Sequence, residues 1–522
     1  MGIPSYFSYI VKNHSNIIKP IHDYPLKITH FYLDSNSIIY DVIKKHENPT
    51  NQYIIDQVII QICNYIKCIS PSKVVYIAFD GVAPVAKLEQ QRQRRYKSWY
   101  QNEITESIDP NHKKGWNTIQ ITPGTQFMNE LNIGIKQYFS KPFQFGLEEI
   151  IVTTSQEPGE GEHKIFDYIR NLPKNNHFSH IIYGLDADLI MLCINHLPVF
   201  DKIYLFRETP EFIKSIHQEL EPNKSYLLNI PELAKVISLN MNEQSIPTDR
   251  IYDYIFLCFF LGNDFMPHFP SVNIRTSGID RLLNGYKVVI GKKNKILTDG
   301  KIIYWDNLLL LFKWLSIHEE EFFREEMNLR NKREKHASKM PNHTIPEKLK
   351  RIENIPNYDR TLEKYIDPHT EQWKERYYMG LFQIQSKDLK KEIPNIVLNY
   401  LVGLQWTMSY YTSGCVDWRW KYKYNYAPLF CDLYKYSKQQ VIQFQENTKA
   451  VDELTQLCYV IPKSSFHIIP HDLTEKLLEK SDLYPDNCSF IWAFCRYFWE
   501  SHAILPEIDI DWIENIVNER KV

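Results

Sequence analysis

The sequence predicts an α/β fold for residues 1–290, with a mainly parallel central sheet flanked by helices. Short apolar runs rich in β-branched and aromatic residues alternate there with helix-like stretches. Such runs are typical of buried strands, and four stand out: Ile28–Leu33, Val74–Phe79, Glu149–Val152 and His180–Leu185. From about Trp373 the chain is helix-like and aromatic through to Val522, which predicts a second, largely helical region.

Composition excludes several classes of protein. The 522 residues carry a net charge of −2, so the chain is not a polybasic coat for nucleic acid, and any such contact needs a local patch. The nine cysteines form no C-x-x-C pair, which argues against a disulfide framework or a zinc knuckle. The N-terminus has no secretion signal, Tyr6 breaks the myristoylation motif, and no apolar stretch could span a bilayer. We therefore expect a soluble intracellular protein.

Residues 318–360 differ in composition from the rest of the chain. They are dense in alternating charge and contain Pro341 and Pro346, a pattern typical of a solvated helix and linker. We therefore predict three parts: a catalytic region over 1–290, a charged connecting segment over 291–370, and a second region over 371–522.

Aspartates follow three of the four predicted strands. Asp34 and Asp80 end the first two, and Asp186 and Asp188 follow the strand at His180–Leu185. One such Asp alone is usually a turn or helix-capping residue. In a parallel sheet, however, the carboxyl ends of the strands share one edge, where ligands bind. The convergence of these acids on one edge favours a shared site.

Three more acids occupy positions from which they can reach this edge. Glu160 and Glu162 surround a predicted helix start, and both reach one site only if Gly159–Gly161 precede the helix, which glycine permits. The alternative is that acids simply favour a helix N-terminus. Asp264 follows a strongly apolar helix where Gly262 allows a sharp exit, although it could equally be a turn residue.

A cluster of six or seven carboxylates favours metal binding over acid–base pairing. Oxygen ligands suit Mg²⁺ and Mn²⁺, and clustered carboxylates would repel one another without a cation. Two such ions can activate water and stabilise the leaving oxygen in phosphodiester hydrolysis. The sequence has no H-E-x-x-H, G-x-S-x-G or Walker A motif for another chemistry. We predict two Mg²⁺ or Mn²⁺ ions and these catalytic and metal-binding residues: Asp34, Asp80, Glu160, Glu162, Asp186, Asp188 and Asp264.

A basic helix follows Asp80, with Pro84 at its predicted N-terminus. From Lys87 to Lys97 there are five positive residues and one Glu, a local charge of +4. Four side chains share an arc of roughly 100° on this helix, a suitable phosphate receptor. The alternative is an exposed basic face. Because the helix begins close to a predicted metal ligand, we predict a site for a terminal 5′-phosphate, which favours exonuclease action, at Lys87, Gln91, Arg94 and Arg95.

Long motifs occur in order along nearly the whole chain. The first half contains MGIPSYF, DGVAPVAKLEQQRQRR, ITPGTQFM, EPGEGEHKI, GLDADLI and GNDFMPHFP, and the second contains WKERYYMGLF, IVLNYLVGLQWTMSYYTSGCVDWRW, VIPKSSFHIIP and FWESHAILPEIDI. In these motifs the chain resembles the Xrn/Rat family of 5′→3′ exoribonucleases. The resemblance implies that the first half has a fold like the flap endonucleases and that a second region packs around it and narrows the active site. It also implies processive hydrolysis of single-stranded RNA with a 5′-monophosphate to mononucleotides in RNA and mRNA decay.

The resemblance assigns the seven acids to the metals and the four helix residues to the 5′-phosphate. It also implies base stacking, where Tyr40 replaces the family's usual His and retains an aromatic face. Trp418 and Trp420 match the family's W-x-W, and one of them would complete a base sandwich, although buried core tryptophan is an equal alternative.

Besides Tyr40, three further positions depart from the family pattern, and all four bear on substrate binding rather than on hydrolysis. Lys423 and Asn425 stand where the family favours Pro and His, and Val85 replaces an Arg before the pocket helix. The chain ends just after the second region, so we expect a minimal catalytic core. We expect a cytoplasmic rather than nuclear monomer.

Two other functions would share part of this pattern. A flap-type DNA nuclease would have the same acids and metals, but the Trp-rich second region argues against it. A non-enzymatic RNA-binding protein with a decayed site is disfavoured because all seven acids are present.

Overall fold

Strands rich in apolar residues form the centre of the protein. The computed structural model describes residues 3, 5–23, 27–113, 115–175, 177–241, 250–439 and 449–520. Within these residues the strands are β1 Ile18–Lys19, β2 His30–Asp34, β3 Val74–Ala78, β4 Glu149–Thr153, β5 His180–Tyr183, β6 Ile203–Glu208, β7 Ser225–Asn229, β8 Phe490–Ile491 and β9 His502–Ala503.

Seven of these strands form one mostly parallel sheet in the order β1-β7-β6-β5-β2-β3-β4. The pairs among β4, β3, β2, β5 and β6 are parallel, and β7 pairs antiparallel with both β6 and β1. The four strands predicted from sequence are present, with ends shifted by one or two residues, so the predicted fold class is confirmed. The chain builds outwards from β2 to β4 and then returns to β5 on the other side of β2. Strand order therefore reverses between β2 and β5, the place where open α/β sheets bind ligands.

Helices cover both faces of the sheet because alternate strand residues point to opposite sides. Phe31 and Leu33 contribute to one apolar core, together with the two helices within residues 36–69 and the helix at residues 126–138. Tyr32 contributes to the core on the opposite face of the sheet. All five residues of β2 and of β3 are buried, as in a strand covered on both sides.

Helices make up most of the regular structure in the second half of the chain. Their bounds are α1 Tyr6–Asn13, α2 Asn36–Lys44, α3 Asn51–Ile69, α4 Val85–Ile108, α5 Gln126–Tyr138, α6 Gly161–Asn171, α7 Ala187–Asn195, α8 Ile230–Met241, α9 Ile251–Phe259, α10 Gly278–Val289, α11 Trp305–Ala337, α12 Ile345–Glu353, α13 Thr361–Ile366, α14 Trp373–Leu381, α15 Leu389–Thr412, α16 Phe430–Tyr436, α17 Glu453–Val460, α18 His471–Leu478 and α19 Ile510–Arg520. Within the residues that the structure describes, every helix is too short or too polar to cross a membrane.

The charged segment from residue 318 contains the predicted helix, but one face of α11 is buried, which corrects the prediction that this helix is solvated. The buried carboxylate of Glu319 in α11 accepts hydrogen bonds from the backbone N–H groups of Phe430 and Cys431, at 2.6 and 3.1 Å. Arg330 Nε donates to Glu363 Oε2 at 2.8 Å, and both side chains are almost fully buried. Only the later part, α12, buries none of its residues. Charge density failed as an indicator of solvation along α11 because its buried charged groups are satisfied inside the protein, by backbone N–H groups at Glu319 and by an opposite charge at Arg330. The boundaries at residues 290 and 370 stay predictions.

Candidate active site

The seven predicted acids converge on the carboxyl edge of the sheet. Asp34 is the last residue of β2, Asp80 lies just beyond β3, and Asp186 and Asp188 lie at the start of α7, directly after β5. Five of the seven are buried, with Asp80 half-buried and Asp186 exposed. Ligand oxygens from Asp34, Asp80 and Glu162 lie within 4.8 Å of one another. The parallel register therefore brings acids from distant segments into contact.

Glycine geometry places both glutamates in the cluster. Glu160 has an extended backbone (φ −71°, ψ 151°) immediately before α6, and Glu162 lies in the first turn of that helix. Gly159 has φ +106°, a conformation that other residues rarely adopt. A Cβ atom on Gly161 would stand 2.7 Å from Asp34 Oδ1, so glycine is also needed for close approach. Glu160 precedes the helix as the sequence argument required, whereas Gly161 already belongs to it.

Asp80 is held in place by groups on two neighbouring segments. Its Oδ2 accepts a hydrogen bond from Asn36 Nδ2 at 2.7 Å, and its backbone N–H donates to Asn36 Oδ1 at 3.0 Å. Its Oδ1 accepts from the backbone N–H of Gly161 at 2.7 Å. Lys164 steadies the adjacent strand ends by donating to the carbonyls of Phe79 and Thr154, at 2.9 and 2.7 Å.

Lys87 lies inside the acid cluster. Its Nζ is 2.5 Å from Glu160 Oε1 and 2.6 Å from Asp264 Oδ2, and the side chain is almost completely buried. Burial alone would lower the pKa of Lys87, but Asp264 and Glu160 raise it well above its ordinary value. Burial would likewise raise the pKa of Asp264, yet Lys87 holds it below its usual range. The two groups therefore form a charged, buried ion pair at neutral pH.

Asp34 and Asp188 are less well compensated. Burial and the charges of Asp80, Asp186 and Glu160 raise the pKa of Asp34 well above its ordinary value. Burial and the charge of Asp264 raise the pKa of Asp188 to about 7. At these two carboxyl groups burial and repulsion together outweigh the nearby positive charge.

These residues fit a divalent cation. Asp34 Oδ1 is shielded from solvent and has no hydrogen-bond partner among the described residues, as expected of an oxygen that awaits a cation. Glu160, Glu162 and His163 place one ligand atom each within 4.8 Å of one another, beside the group around Asp34. Carboxylate oxygens at this density suit a hard ion such as Mg²⁺ or Mn²⁺.

Two tyrosines from the second half of the chain complete the cluster. Tyr410 Oη donates to Glu160 Oε2 at 2.8 Å, and Tyr411 Oη donates to Asp188 Oδ1 at 2.9 Å. Sequence reasoning missed both tyrosines and also missed Asn36. Tyr410 and Tyr411 lie in one of the motifs of the family resemblance, and Asn36 lies two residues after Asp34.

The basic helix α4 serves mainly to join the two halves of the protein. Arg92 is buried and donates to the carbonyls of Pro506 and Leu483, at 2.8 and 2.9 Å. Lys97 donates to two carbonyls of the segment 499–501, at 2.8 and 2.9 Å. With Lys87 in the acid cluster and Arg95 bound to Thr122, four of its five cations make internal contacts. The positive stretch is therefore much less exposed than its sequence indicates.

Arg94 is the exposed cation of this helix, and it borders a cleft of about 570 Å³. Asp264 lines the same cleft, together with Lys421, Lys423 and Asn425 from the second half. Two of the four departures from the family pattern, Lys423 and Asn425, therefore line the cleft. Val85 is buried in an apolar core instead.

Arg95 and Tyr40 lie close together beside Arg94. Arg95 Nη2 donates to Thr122 Oγ1 at 2.6 Å, and burial lowers the pKa of Arg95 to about 10 despite the nearby Tyr40 hydroxyl. Tyr40 is 36 % exposed, which leaves its ring accessible. Gln91 is half-buried on the same face of α4. Lys87 therefore lies apart from the other three predicted phosphate-binding residues, because its ammonium group contacts Glu160 and Asp264.

The two tryptophans of the W-x-W motif have different surroundings. Trp420 is half-buried and stacks on the buried Trp406 with ring centroids 5.0 Å apart, at the edge of a large apolar core. Trp418 is also half-buried, and its carbonyl accepts a hydrogen bond from the backbone N–H of Val85 at the start of α4. Because Trp406 covers one face of the Trp420 ring, Trp418 is the better candidate for base stacking, and that role stays a prediction.

The matches to known proteins cover nearly the whole chain. Residues 1–209 match the family model of the XRN 5′-3′ exonuclease N-terminus, and residues 246–369 and 369–519 match that of the Xrn1 helical domain. The Drosophila melanogaster 5′-3′ exoribonuclease 2 homolog is 25 % identical over 98 % of this chain and 70 % of its own length. Saccharomyces cerevisiae 5′-3′ exoribonuclease 1 is 27 % identical over 98 % of this chain and 42 % of its own length.

A crystal structure of a bacteriophage flap endonuclease with DNA and metal ions also matches, at 14 % identity over 56 % of this chain and 92 % of that one. Its TM-score of 0.26 is too low to carry an argument about the site. The two family models, in contrast, together match both halves of the chain and enclose all seven acids. The chain therefore belongs to the XRN 5′-3′ exonuclease family and is a nuclease.

Proposed function

We propose that the protein is a 5′→3′ exoribonuclease that hydrolyses single-stranded RNA bearing a 5′-monophosphate to mononucleotides, with two Mg²⁺ or Mn²⁺ ions. One observation carries the proposal: a single cleft is bordered both by Asp264 of the acid cluster and by Arg94 of the basic helix. A phosphate held by Arg94 would therefore lie close to the groups that act on the next phosphodiester bond. Family membership and the names of the relatives support RNA as the substrate.

In the proposed mechanism, residues of this chain hold the metal-binding carboxylates and the end of the RNA in position. Divalent cations bound by the acids would activate a water and stabilise the leaving oxygen. Asn36 and the Gly161 N–H fix the Asp80 carboxylate, and Tyr410 and Tyr411 fix Glu160 and Asp188. Arg94 and Arg95 would bind the terminal phosphate through charge-assisted hydrogen bonds. Tyr40 and Trp418 would stack on the terminal base.

The preference for an RNA end over an internal site follows from the walls of the cleft. Helix α4 is bound by the segments around Leu483, Trp499 and Pro506, and Trp499 and Pro506 line the same cleft as Asp264, so the second half of the chain forms a wall of the space beside the acids. A strand threaded into such a space presents its terminus to Arg94. We also propose that the protein acts as a monomer in the cytoplasm, in RNA and mRNA decay.

Three single-stranded RNAs labelled at the 3′ end test the function directly. They carry a 5′-monophosphate, a 5′-hydroxyl or a 5′-triphosphate, and each is incubated with the purified protein and Mg²⁺ or Mn²⁺. We expect loss of the monophosphate RNA alone, without internal fragments. Internal cuts, faster cleavage of flapped DNA, or equal loss of all three RNAs would support a structure-specific endonuclease. Binding without any hydrolysis would support an RNA-binding protein with an inactive site.

Replacement of Arg94 tests the phosphate site. In Arg94→Ala we expect the preference for 5′-monophosphate over 5′-hydroxyl RNA to fall roughly ten- to hundred-fold, because a hydrogen bond to a charged group contributes about 1.5–3 kcal/mol. The preference is measured as the ratio of kcat/KM values. Arg520→Ala, which removes a surface ion pair with Asp472, is the matched control and should leave the ratio unchanged. A wild-type ratio in Arg94→Ala would show that the phosphate binds elsewhere.

A further inference from the structure

Two consecutive residues near the end of α15 each contact a different acid of the cluster. Tyr410 binds Glu160 through its hydroxyl at 2.8 Å, and Tyr411 binds Asp188 at 2.9 Å. Both tyrosines are at most 2 % exposed. The two acids precede or begin different helices, α6 and α7, so one turn of α15 spans both of the segments that carry them.

This double contact has a geometric consequence. Consecutive residues of a helix point about 100° apart, so their side chains usually reach different surroundings. Here both hydroxyls donate to carboxylates because Glu160 and Asp188 lie on adjacent sides of α15. A small rotation or shift of the helix would therefore move both hydrogen bonds together.

Stacked rings hold the two tyrosines in place. The His163 and Tyr410 rings lie 3.7 Å apart, Tyr410 and Trp406 lie 4.8 Å apart, and Trp406 continues onto Trp420 at 5.0 Å, with interplanar angles of 21–28°. Trp406 is itself fixed by donating from Nε1 to a backbone carbonyl at 2.8 Å. The Tyr411 ring packs edge-on against Phe259 at 5.3 Å. Neither hydroxyl can move far from its carboxylate while these rings stay packed.

A hydrogen bond from a hydroxyl group affects how a carboxylate binds a cation. It occupies one oxygen lone pair and fixes the plane of the group, which leaves the other lone pairs oriented for a cation. Hydrogen-bond partners of metal ligands act in this way in many metal sites, and their loss typically weakens metal affinity or activity 10- to 100-fold. The neutral hydroxyl achieves this without adding a charge that would compete with the metal.

We propose that Tyr410 and Tyr411 are positioning residues that orient Glu160 and Asp188 for divalent cations, so that the second half of the chain sets the metal affinity of the first. The inference rests on the proposed function, since it assumes that these acids bind the metals. It assigns the helical region a role in assembling the metal site, in addition to enclosing the cleft.

Three Tyr→Phe variants test the inference in the full chain. Tyr410→Phe and Tyr411→Phe remove one hydroxyl each and keep the stacked rings. Tyr400→Phe is the matched control, because Tyr400 lies on the same helix, is fully buried, and its hydroxyl has no hydrogen-bond partner among the described residues. Mn²⁺ is titrated against each protein by calorimetry and by the rise in Tm, and the rate of RNA loss is measured over the same concentrations.

We expect the Mn²⁺ concentration for half-saturation to rise about 10-fold in Tyr410→Phe and in Tyr411→Phe, and to stay at the wild-type value in Tyr400→Phe. High Mn²⁺ should restore most of the lost rate. Wild-type Mn²⁺ affinity in both test variants would overturn the inference while leaving the proposed function intact. A lower Tm in EDTA with an unchanged half-saturating concentration would show a purely structural role and would also overturn it. A wild-type protein that neither binds Mn²⁺ nor hydrolyses RNA would overturn the proposed function, and the inference with it.

Discussion

Asp34→Asn is expected to abolish RNA hydrolysis and, in EDTA, to make the protein more heat-stable than wild type. Asp34 ends the central strand β2, and its Oδ1 has no hydrogen-bond partner among the described residues. Removal of a metal ligand should cost several kcal/mol of transition-state stabilisation, hence roughly a thousand-fold or more in rate. Without metal, however, folding must bury Asp34 beside Asp80 and Glu160 either as a charge or with an added proton, and at neutral pH both cost free energy of folding. The isosteric amide removes this cost, so the Tm without metal should rise.

The two effects are separated by measuring Tm in EDTA and in Mn²⁺ alongside the rate of hydrolysis. Wild type should gain stability on adding Mn²⁺, because a ligand that binds only the folded state stabilises it, and Asp34→Asn should gain much less. Asp167→Asn is a suitable control, since Asp167 lies on α6 but is exposed and paired with Arg170. If Asp34→Asn kept the wild-type rate or the full Mn²⁺-dependent gain in Tm, Asp34 would not be a metal ligand.

The sheet could be predicted because its central strands are buried on both faces. Val74–Ala78 and His180–Tyr183 are short, wholly apolar or aromatic runs, a pattern that exposed strands do not share. Strand β6 was not among the predicted strands although it is buried and largely apolar, and the antiparallel strand β7 and the two-residue β1 were not predicted either. Such an edge depends on pairing between distant segments, here Ile18 with Leu228, which leaves no periodic signal in the sequence.

The convergence of six of the acids could be predicted because each of them follows a strand or lies at the start of a helix at the same edge, whereas Asp264 follows the apolar helix α9 and carried no such signal. Tyr410 and Tyr411 could not be assigned to the cluster in this way. They contact residues more than 200 positions away, and as apolar rings on a helix they fit the pattern of core residues equally well.

The charge of the basic helix led to a wrong expectation of how exposed that helix is, for a related reason. Sequence shows that Arg92 is a cation but does not show whether it faces solvent or, as here, backbone carbonyls of another segment.

Lys87→Met is expected to destabilise the protein strongly in EDTA and to make its stability more dependent on divalent cations. Lys87 contacts Glu160 at 2.5 Å and Asp264 at 2.6 Å, and all three side chains are almost completely buried. Breaking a buried ion pair by removing one partner typically costs about 3–5 kcal/mol, because it leaves an uncompensated charge. Since methionine has nearly the same shape as the lysine stem, the loss should reflect charge rather than packing.

The matched control is Lys73→Met, which breaks an exposed ion pair with Glu148 at 3.1 Å and should change stability by less than about 1 kcal/mol. Mn²⁺ should raise the Tm of Lys87→Met more than that of wild type, because cations would replace the missing ammonium. The same variant decides the second role predicted for Lys87. If cations neutralise Glu160 and Asp264 in the active protein, Lys87 becomes available to a 5′-phosphate, and its loss should also reduce the preference for 5′-monophosphate RNA. A large drop in Tm with a wild-type preference would instead restrict Lys87 to the acid cluster and leave the phosphate to Arg94 and Arg95.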